Sequence, residues 1–403
     1  MKKQGFLGQL QHDVQHRGFS AWMLSALLIG FYVILYFGYD VNEPSGWFES
    51  FQNVVYDTFT RHLEAFGSAY LSINADAPDG EPKYIGNRWT VYGLLYTFAI
   101  LGGGAYMLSK YRHNRYQVVR TSIVMFVQVS FAFSIPILLK FFGNPEFYFS
   151  YLWPLKIDYL DPKNFQYYGE LLVLYGFFGS LVLVPIMTLL YGKRWYCSWV
   201  CGCGGLANTF GEPWRHLSTK SALSWKIEKI TIHTVLIIAV VSTALWFAAT
   251  MFPADSTVAK LADGTRKYYG WIVVAALSGA IGTGLYPIGG TRVWCRFFCP
   301  MAAILGLIQK LGRYRIKVKR DMCISCGMCS TYCEMGIDVR AYAQANQSFT
   351  RASCVGCGLC AEVCPRGVLR LENAVRRDPQ ELTWSSLIDE SWKGDSTTIQ
   401  ARR

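Results

Sequence analysis

The chain has 403 residues, of which 52% are apolar and only 16% are charged, whereas about a quarter of the residues of a typical soluble domain are charged. This shortage of charge argues against a soluble enzyme and favours an integral membrane protein. The formal charge of +12 can indicate nucleic-acid binding, but in a membrane protein it more often reflects basic cytoplasmic loops. We therefore expect a lipid bilayer, and no nucleic acid, as a partner.

Six apolar segments are each long enough, at about 20 residues, to cross a bilayer. They lie near residues 20–38, 88–108, 118–141, 169–191, 231–252 and 270–289. The expected fold class is an α-helical integral membrane protein of about six transmembrane helices, followed by a C-terminal α+β domain.

The loops between these segments divide into two groups by their basic residues. Twelve basic residues lie in one group, which consists of residues 1–19, 109–119 and 192–230. Seven lie in the other group, which consists of residues 39–87, 143–167 and 253–268. By the positive-inside rule, both termini are expected in the cytoplasm. We predict a multi-pass protein of a bacterial inner membrane, with all thirteen cysteines at its cytoplasmic side.

One segment of the other side has a readable pattern. Aromatic and aliphatic residues recur at helical spacing over residues 47–66, from Phe48 to Phe66, which indicates an amphipathic helix. Such a helix can lie on the outer leaflet, or it can serve as a docking surface or as a lid over a quinone pocket.

The C-terminal cysteines carry the strongest motif. Residues 323–333 and 354–364 each contain the pattern C-x-x-C-x-x-C-x-x-x-C, the run of bacterial two-cluster ferredoxins, in which the fourth cysteine ligates the other cluster. Disulfides are uncommon in a reducing cytoplasm, and zinc more often shows two C-x-x-C pairs. The pattern therefore predicts two [4Fe–4S] clusters. One is held by Cys323, Cys326, Cys329 and Cys364, and the other by Cys354, Cys357, Cys360 and Cys333.

The two motifs differ at the residue after the fourth cysteine. Pro365 follows Cys364, but Glu334 follows Cys333 where a second proline is usual. Because eight cysteines fill eight ligand positions, we expect one-electron transfer at these clusters and no catalytic residues. The protein is expected to be an electron-transfer subunit of an oxidoreductase complex rather than a self-standing enzyme.

Five further cysteines follow the fourth and sixth predicted spans, at the expected membrane edge. They are Cys197, Cys201, Cys203, Cys295 and Cys299. Three interpretations remain open: a third iron–sulfur cluster, a redox-active dithiol or copper site, because soft thiolates suit Cu(I), and cysteines that only pack in a structural turn.

These motifs together resemble the membrane polyferredoxin family. That family includes the membrane iron–sulfur subunit of periplasmic nitrate reduction, the membrane region of the nitrous-oxide-reduction regulator, the methylamine-utilisation ferredoxin-type protein and the cbb-type oxidase maturation protein. The resemblance covers roughly residues 90–372. The family pattern is C-x-x-x-C-P twice; Cys299 and Pro300 match it, whereas Gly202 follows Cys201 and Cys203 is extra, which suggests a distinct subfamily.

The resemblance implies that the protein links a membrane redox partner, a quinone pool or another respiratory subunit, to its iron–sulfur clusters. The alternatives are a copper reductase or maturation factor for a respiratory oxidase, and a redox sensor. A basic segment at 310–320 would attract anionic lipid or dock a soluble electron carrier. The expected organisation is a cytoplasmic N-terminus at 1–19, a membrane domain at 20–315 with cysteine pairs at 197–203 and 295–299, a ferredoxin domain at 316–373 and a polar tail at 374–403.

Overall fold

The computed structural model describes residues 18–37, 88–142, 145, 147–160, 169–253 and 256–374. The predicted amphipathic segment at 47–66 lies outside these residues, as do nearly all of the predicted N-terminus and tail. The described chain consists of a helical part, residues 19–311, and a C-terminal part, residues 314–374, which contains two strands and short helices.

The helical part contains thirteen α-helices among the described residues. In chain order they are α1 (Phe19–Phe37), α2 (Arg88–Lys110), α3 (Arg115–Val127), α4 (Ile135–Phe141), α5 (Glu170–Phe178), α6 (Val184–Tyr191), α7 (Arg194–Cys197), α8 (Gly202–Asn208), α9 (Ala222–Ala249), α10 (Thr257–Tyr268), α11 (Gly282–Gly284), α12 (Tyr286–Gly289) and α13 (Pro300–Leu311). Segments of 3₁₀-helix occur at Ile157–Leu160 and Glu212–Leu217.

Stretches of π-helix join several of these helices without a break. They lie at Gln128–Ser134, Gly179–Leu183, Tyr269–Ile281 and Trp294–Phe298. The first three join α3 to α4, α5 to α6 and α10 to α11. Because π-helical turns are frequent at functional sites, the one that begins at Gln128 is a candidate to contact such a site.

Four helices of the described residues are long and apolar enough to cross a membrane, as judged by length and composition. They are Phe19–Tyr36, Arg115–Leu139, Glu170–Tyr191 and Ala222–Ala249. The other two predicted spans fall on α2 and on the helical run from α10 to α11. Their membrane crossing, and hence the count of six, stays a prediction.

Apolar side chains cover the outside of the helical part. Leu171 is 83% exposed, Ile230 is 69% exposed and Phe126 is 64% exposed, each on one of the four long helices. A large apolar surface of this kind is unfavourable in water and marks a site of contact with protein or membrane. It is compatible with a membrane protein.

One helix boundary differs clearly from its prediction. The fifth span was expected to begin near residue 231, but α9 begins at Ala222. The residues before 231 were interpreted as a separate interfacial helix over 214–230, on the cytoplasmic face, and not as part of the span. Glu228, however, is buried and accepts a 2.7 Å hydrogen bond from Arg296 Nε, so its charge is paired inside the protein and the helix continues through it.

The C-terminal part is built on a two-stranded antiparallel sheet. Strand β1 (Tyr314–Val318) pairs with β2 (Leu369–Asn373), and Ile316 also bridges to Phe349. The short helices α14 (Met328–Thr331), α15 (Val339–Gln344) and α16 (Leu359–Glu362) lie between the strands in sequence. The sheet therefore brings together the two ends of the region that holds the eight cysteines.

The C-terminal part is fixed to the helical part at the start of β1. The Arg313 backbone N–H donates to the Leu189 carbonyl at 2.9 Å. Gly192, which ends α6 at a φ of 75°, packs so closely on Tyr314 that a Cβ atom there would lie 2.5 Å from the Tyr314 Cβ. Glycine is required at this position by both the positive φ and the close approach.

Candidate iron–sulfur sites

Four C-terminal cysteines line a small cavity near the protein surface. We call them the surface set: Cys323, Cys326, Cys329 and Cys364. The side chain of Cys326 is exposed, and the neighbouring Ile324 is 56% exposed. The cavity also contacts Arg340 and Arg366, so its surroundings are basic.

The other four line a second small cavity. We call them the docked set: Cys333, Cys354, Cys357 and Cys360. Each cavity thus combines three cysteines of one motif with the fourth cysteine of the other, which is the exchange that the sequence pattern predicts. Val355, in the loop of the docked set, is only 1% exposed.

The two sites share the same backbone devices. Gly327 and Gly358 both have φ of 78° and begin α14 and α16, a left-handed conformation that glycine adopts without steric cost. One cysteine sulfur of each set also accepts a hydrogen bond from a backbone amide. The Ile337 N–H donates to Cys333 Sγ, and the Val368 N–H donates to Cys364 Sγ, both at 3.4 Å. Hydrogen bonds to the sulfurs are one of the features that set cluster potentials.

Side chains from the helical part hold the loop of the docked set. Gln117 Nε2 donates to the Cys357 carbonyl at 2.9 Å, and Arg120 Nη1 donates to the same oxygen at 2.8 Å. Ser198 Oγ donates to the Val355 carbonyl at 2.7 Å. The docked set therefore lies directly against α3 and the turn after α7.

The remaining five cysteines come together inside the helical part. We call Cys197, Cys201, Cys203, Cys295 and Cys299 the buried set. Cys197 ends α7, Cys201 directly precedes α8 and Cys203 lies in α8. Cys295 lies within the π-helical stretch before α13, and Cys299 directly follows that stretch. Glycine at 204 permits the first turn, since a Cβ atom there would collide with the Cys197 carbonyl.

The buried set lies deeper among the helices than its position after the predicted spans suggests. Gly202, between Cys201 and Cys203, contacts Tyr96, Gln128 and Tyr151. Tyr96 Oη donates to the Gly202 carbonyl at 2.9 Å, and Gln128 Nε2 donates to the Val200 carbonyl at 2.7 Å. Since Gln128 lies near the middle of the helix Arg115–Leu139, the chain after α6 turns back into the bundle.

The thiols of the buried set differ in their acidity. Burial raises the pKa of Cys197 to about 12. The hydrogen bond from the Cys203 side chain instead lowers the pKa of Cys201 to about 7, against the effect of burial, and it raises the pKa of Cys203.

A chain of buried charges lies between the buried set and the docked set. Glu334 pairs with Arg215, with Nη1 to Oε2 at 2.6 Å, and with Arg292, with Nη2 to Oε1 at 3.2 Å. Arg215 Nε also contacts Glu212 Oε2 at 2.6 Å, and Lys110 Nζ lies 3.4 Å from Glu212 Oε1. Burial raises the pKa of Glu334, but the two guanidinium groups outweigh it and hold the pKa below its usual value.

The buried cations of this region outnumber its carboxylates. Glu212 and Glu334 are the two carboxylates of the network, and five cations are almost fully buried with them: Lys110, Arg120, Lys193, Arg215 and Arg292. An excess of three positive charges away from water is costly unless anions compensate it. Arg120 Nε and Nη2 and Arg292 Nε make no hydrogen bond to the described residues. The region therefore suits an anionic group such as a thiolate-ligated cluster.

Sequence reasoning missed most of these charged residues. Arg215 was counted only as a loop charge, Arg292 was noted only as a basic residue before the Cys295 and Cys299 pair, and Arg120 was placed inside a predicted span without comment. An ionisable residue within a span is a functional candidate by default, so Arg120 gave a usable signal.

Within the described residues, no three histidine, cysteine or acidic side chains converge closely enough to hold a single metal ion.

Two family models match the chain. One, a 4Fe-4S dicluster domain, matches residues 316–371, which contain all eight cysteines of the surface and docked sets. The other, a 4Fe-4S binding domain, matches residues 173–220 and 269–319, which contain the buried set. Iron–sulfur binding is therefore supported in both parts of the chain.

Curated relatives agree with these models. The chain is 25% identical over 169 residues to a protein of Escherichia coli named as an electron transport protein, YccM. This match covers 40% of the chain and 46% of the relative. It is 27% identical over 158 residues to the methylamine utilization ferredoxin-type protein MauN of Paracoccus denitrificans, covering 38% of this chain and 52% of the relative.

A second MauN, from Methylobacillus flagellatus, is 25% identical over 242 residues, covering 57% of this chain and 79% of the relative. The matches thus span about half the length of the first two relatives. No solved structure gives a significant match. The family models and the relatives together support a polyferredoxin-like family for this chain, as its cysteine motifs predict.

Proposed function

We propose that this iron–sulfur electron transport protein is membrane-bound and relays single electrons between a membrane redox partner and a soluble partner. The membrane partner would be a quinone pool or a subunit of a respiratory complex. One observation carries the proposal: the eight C-terminal cysteines line two cavities, one against the helical part and one at the surface. When bound there, [4Fe–4S] clusters exchange one electron at a time.

The protein residues fit this role by position. The surface set has an exposed cysteine and basic neighbours, which suit contact with an acidic electron carrier. The loop of the docked set is held to the helical part by hydrogen bonds from Tyr116, Gln117 and Arg120. The order of sites proposed is therefore buried set, docked set, surface set, in a multi-pass protein of the bacterial inner membrane with these sites on its cytoplasmic side.

The buried set is proposed to hold a third cluster. Cys197, Cys201, Cys295 and Cys299, the four most deeply buried members of the set, would be its ligands, whereas Cys203 is half-buried and would not ligate. The charge excess supports this assignment, because metal ligation requires deprotonated thiols and those thiolates would compensate the buried cations. Arg292 already lies close, with Nη1 3.6 Å from Cys295 Sγ.

Iron analysis of purified variants tests this proposal. Three clusters correspond to about twelve irons per chain. Cys295→Ser should remove about four of them together with one EPR signal, because serine is a poor cluster ligand. Cys203→Ser is the matched control and should keep the iron content unchanged.

Two results would contradict the proposal. About eight irons in the unsubstituted protein would leave only the C-terminal clusters and would exclude the third one. Copper bound by the unsubstituted protein and lost in Cys295→Ser, with iron unchanged, would favour the metal-handling alternative.

A further inference from the structure

Glu334 occupies a position that has no charge in the other half of the C-terminal part. It directly follows Cys333 of the docked set, whereas the corresponding residue after Cys364 of the surface set is Pro365. The side chain of Glu334 is 1% exposed. A buried carboxylate is costly unless it is paired and hydrogen-bonded, so a specific set of partners must stabilise this one.

All of the ionic partners of Glu334 come from the helical part. Arg215, in the 3₁₀ segment before α9, contacts one carboxylate oxygen at 2.6 Å, and Arg292, before α13, contacts the other at 3.2 Å. Ser218 Oγ donates to the Glu334 backbone carbonyl at 2.7 Å. The residue beside a docked cysteine is thus held from two separate segments of the helical part.

Arg292 extends this contact to the buried set. Its Nη1 atom lies 3.2 Å from the Cys197 carbonyl and 3.6 Å from Cys295 Sγ, while its Nη2 atom contacts Glu334. A single guanidinium therefore bridges the residue next to Cys333 and two members of the buried set. No equivalent bridge reaches the surface set among the described residues.

We propose that the fixed negative charge of Glu334 lowers the reduction potentials of the docked and buried sites below the values that the surrounding buried cations alone would give, and that it acts much less on the surface site. This inference rests on the proposed function. A negative charge disfavours an added electron nearby, and the effect is strong in a water-excluded region; local charge is among the features that set cluster potentials. Pro365 supplies no such charge, so the two C-terminal sites become unequal despite their identical ligand pattern.

The test is an anaerobic potentiometric titration of the whole protein, followed by EPR, with iron counted in each sample. Glu334→Gln removes the carboxylate charge, so Arg292 loses its ion pair while Arg215 keeps its contact with Glu212. The loss of this negative charge favours reduction. We expect the midpoint potential of the docked site, and that of the buried site, to shift to more positive values, with the smallest shift at the surface site. Glu334→Asp keeps the charge and should stay close to the unsubstituted protein.

Glu372→Gln is the matched control. Glu372 also pairs with two cations, Arg315 and Lys317, but at the surface of the sheet, and its substitution should leave all potentials in place. If Glu334→Gln fails to load iron, the double substitution Glu334→Gln and Arg215→Gln removes one charge of each sign. Its docked site should then titrate close to that of the unsubstituted protein.

Two outcomes would overturn the inference. One is a Glu334→Gln protein with normal iron content whose docked site shifts no more than its surface site. The other is a double variant whose docked site titrates at a clearly different potential from that of the unsubstituted protein, although one charge of each sign has been removed. A failure of the proposed third cluster is distinguishable, because it would appear as about eight irons in the unsubstituted protein while the docked site still reports on Glu334.

Discussion

The two C-terminal cysteine motifs have the same spacing but different surroundings. Ile324, inside the first motif, is 56% exposed, whereas its counterpart Val355 in the second is 1% exposed. The loop that contains Val355 accepts hydrogen bonds from Tyr116, Gln117 and Ser198 of the helical part. The two motifs therefore share their cysteine spacing, while the contacts of the loops determine which site faces the helical part and which faces the surface.

The same difference appears in the backbone. Ser325 and Gly356 occupy equivalent positions and both have positive φ, 58° and 61°. A serine is tolerated in the first loop, where the residue is exposed. In the second loop a Cβ atom would lie 2.6 Å from Arg194 Cβ and 3.0 Å from Tyr314 Oη, so only glycine fits beneath the helical part.

The largest expected effect tests the exchange of the fourth cysteine between motifs. Cys333→Ser should abolish the EPR signal of the docked site, although Cys333 belongs to the first motif. Cys364→Ser should abolish the signal of the surface site. Each variant should lose about four irons per chain. Loss of the surface signal in Cys333→Ser, with the docked signal retained, would show that each motif holds its own cluster.

The second prediction compares the two loops directly. Gly356→Ala should destabilise the C-terminal part by about 2 kcal/mol or more, because it combines a strained φ with a steric collision. Ser325→Gly should change stability by less than about 1 kcal/mol, since the position is exposed. Thermal loss of cluster absorbance in detergent measures both. Equal effects of the two substitutions would show that the second loop is not held against the helical part.

The third prediction compares two glutamine hydrogen bonds. Gln117→Ala removes the donor to the Cys357 carbonyl and should cost about 1 kcal/mol. Gln344→Ala removes an exposed bond to Ser325 Oγ, of 2.7 Å, and should cost at most a few tenths of a kcal/mol. Limited proteolysis near residue 313 should be faster in the Gln117 variant alone. Faster cleavage in both variants would contradict the assignment of Gln117 to docking.

The smallest expected effect concerns the sheet that joins the two motifs. Burial raises the pKa of Glu372, but hydrogen bonds from Arg315 and Lys317 lower it below its usual 4.5. Because the folded-state pKa is depressed, the ion pairs stabilise the protein above pH 4.5, and the contribution is lost as the pH falls through the lower folded-state value. Glu372→Gln should cost about 0.2–1 kcal/mol at pH 7. A cost that persists unchanged at low pH would indicate lost packing instead of lost charge.

Local sequence patterns predicted the parts of the molecule that depend on local physics. The cysteine spacing predicted that Cys333 and Cys364 exchange places between the two groups, and each does line the opposite cavity; the cluster ligands themselves stay a prediction. Apolar length predicted the helix α1 (Phe19–Phe37) to within one residue. The start of α9 was missed by nine residues, because the partner of Glu228 is Arg296, which lies far along the chain.

The charge network could not be predicted for the same reason. Glu334 was visible only as the absence of a proline, and its partners Arg215 and Arg292 belong to segments that looked like ordinary basic loops. Contacts between residues so distant in sequence depend on how α3, α7 and α13 pack. The depth of the buried set among the helices likewise follows from the turn of the chain after α6, which hydropathy does not report.

The order of the three sites is the central claim, and freeze-quench EPR of the intact protein mixed with a soluble one-electron reductant tests it most directly. We predict that the surface site is reduced first, then the docked site, then the buried set. In Cys357→Ser, which removes a ligand of the docked site, reduction of the buried set should be slowed severalfold while the surface site is reduced normally. Reduction of the buried set at an unchanged rate in that variant would contradict the proposed order.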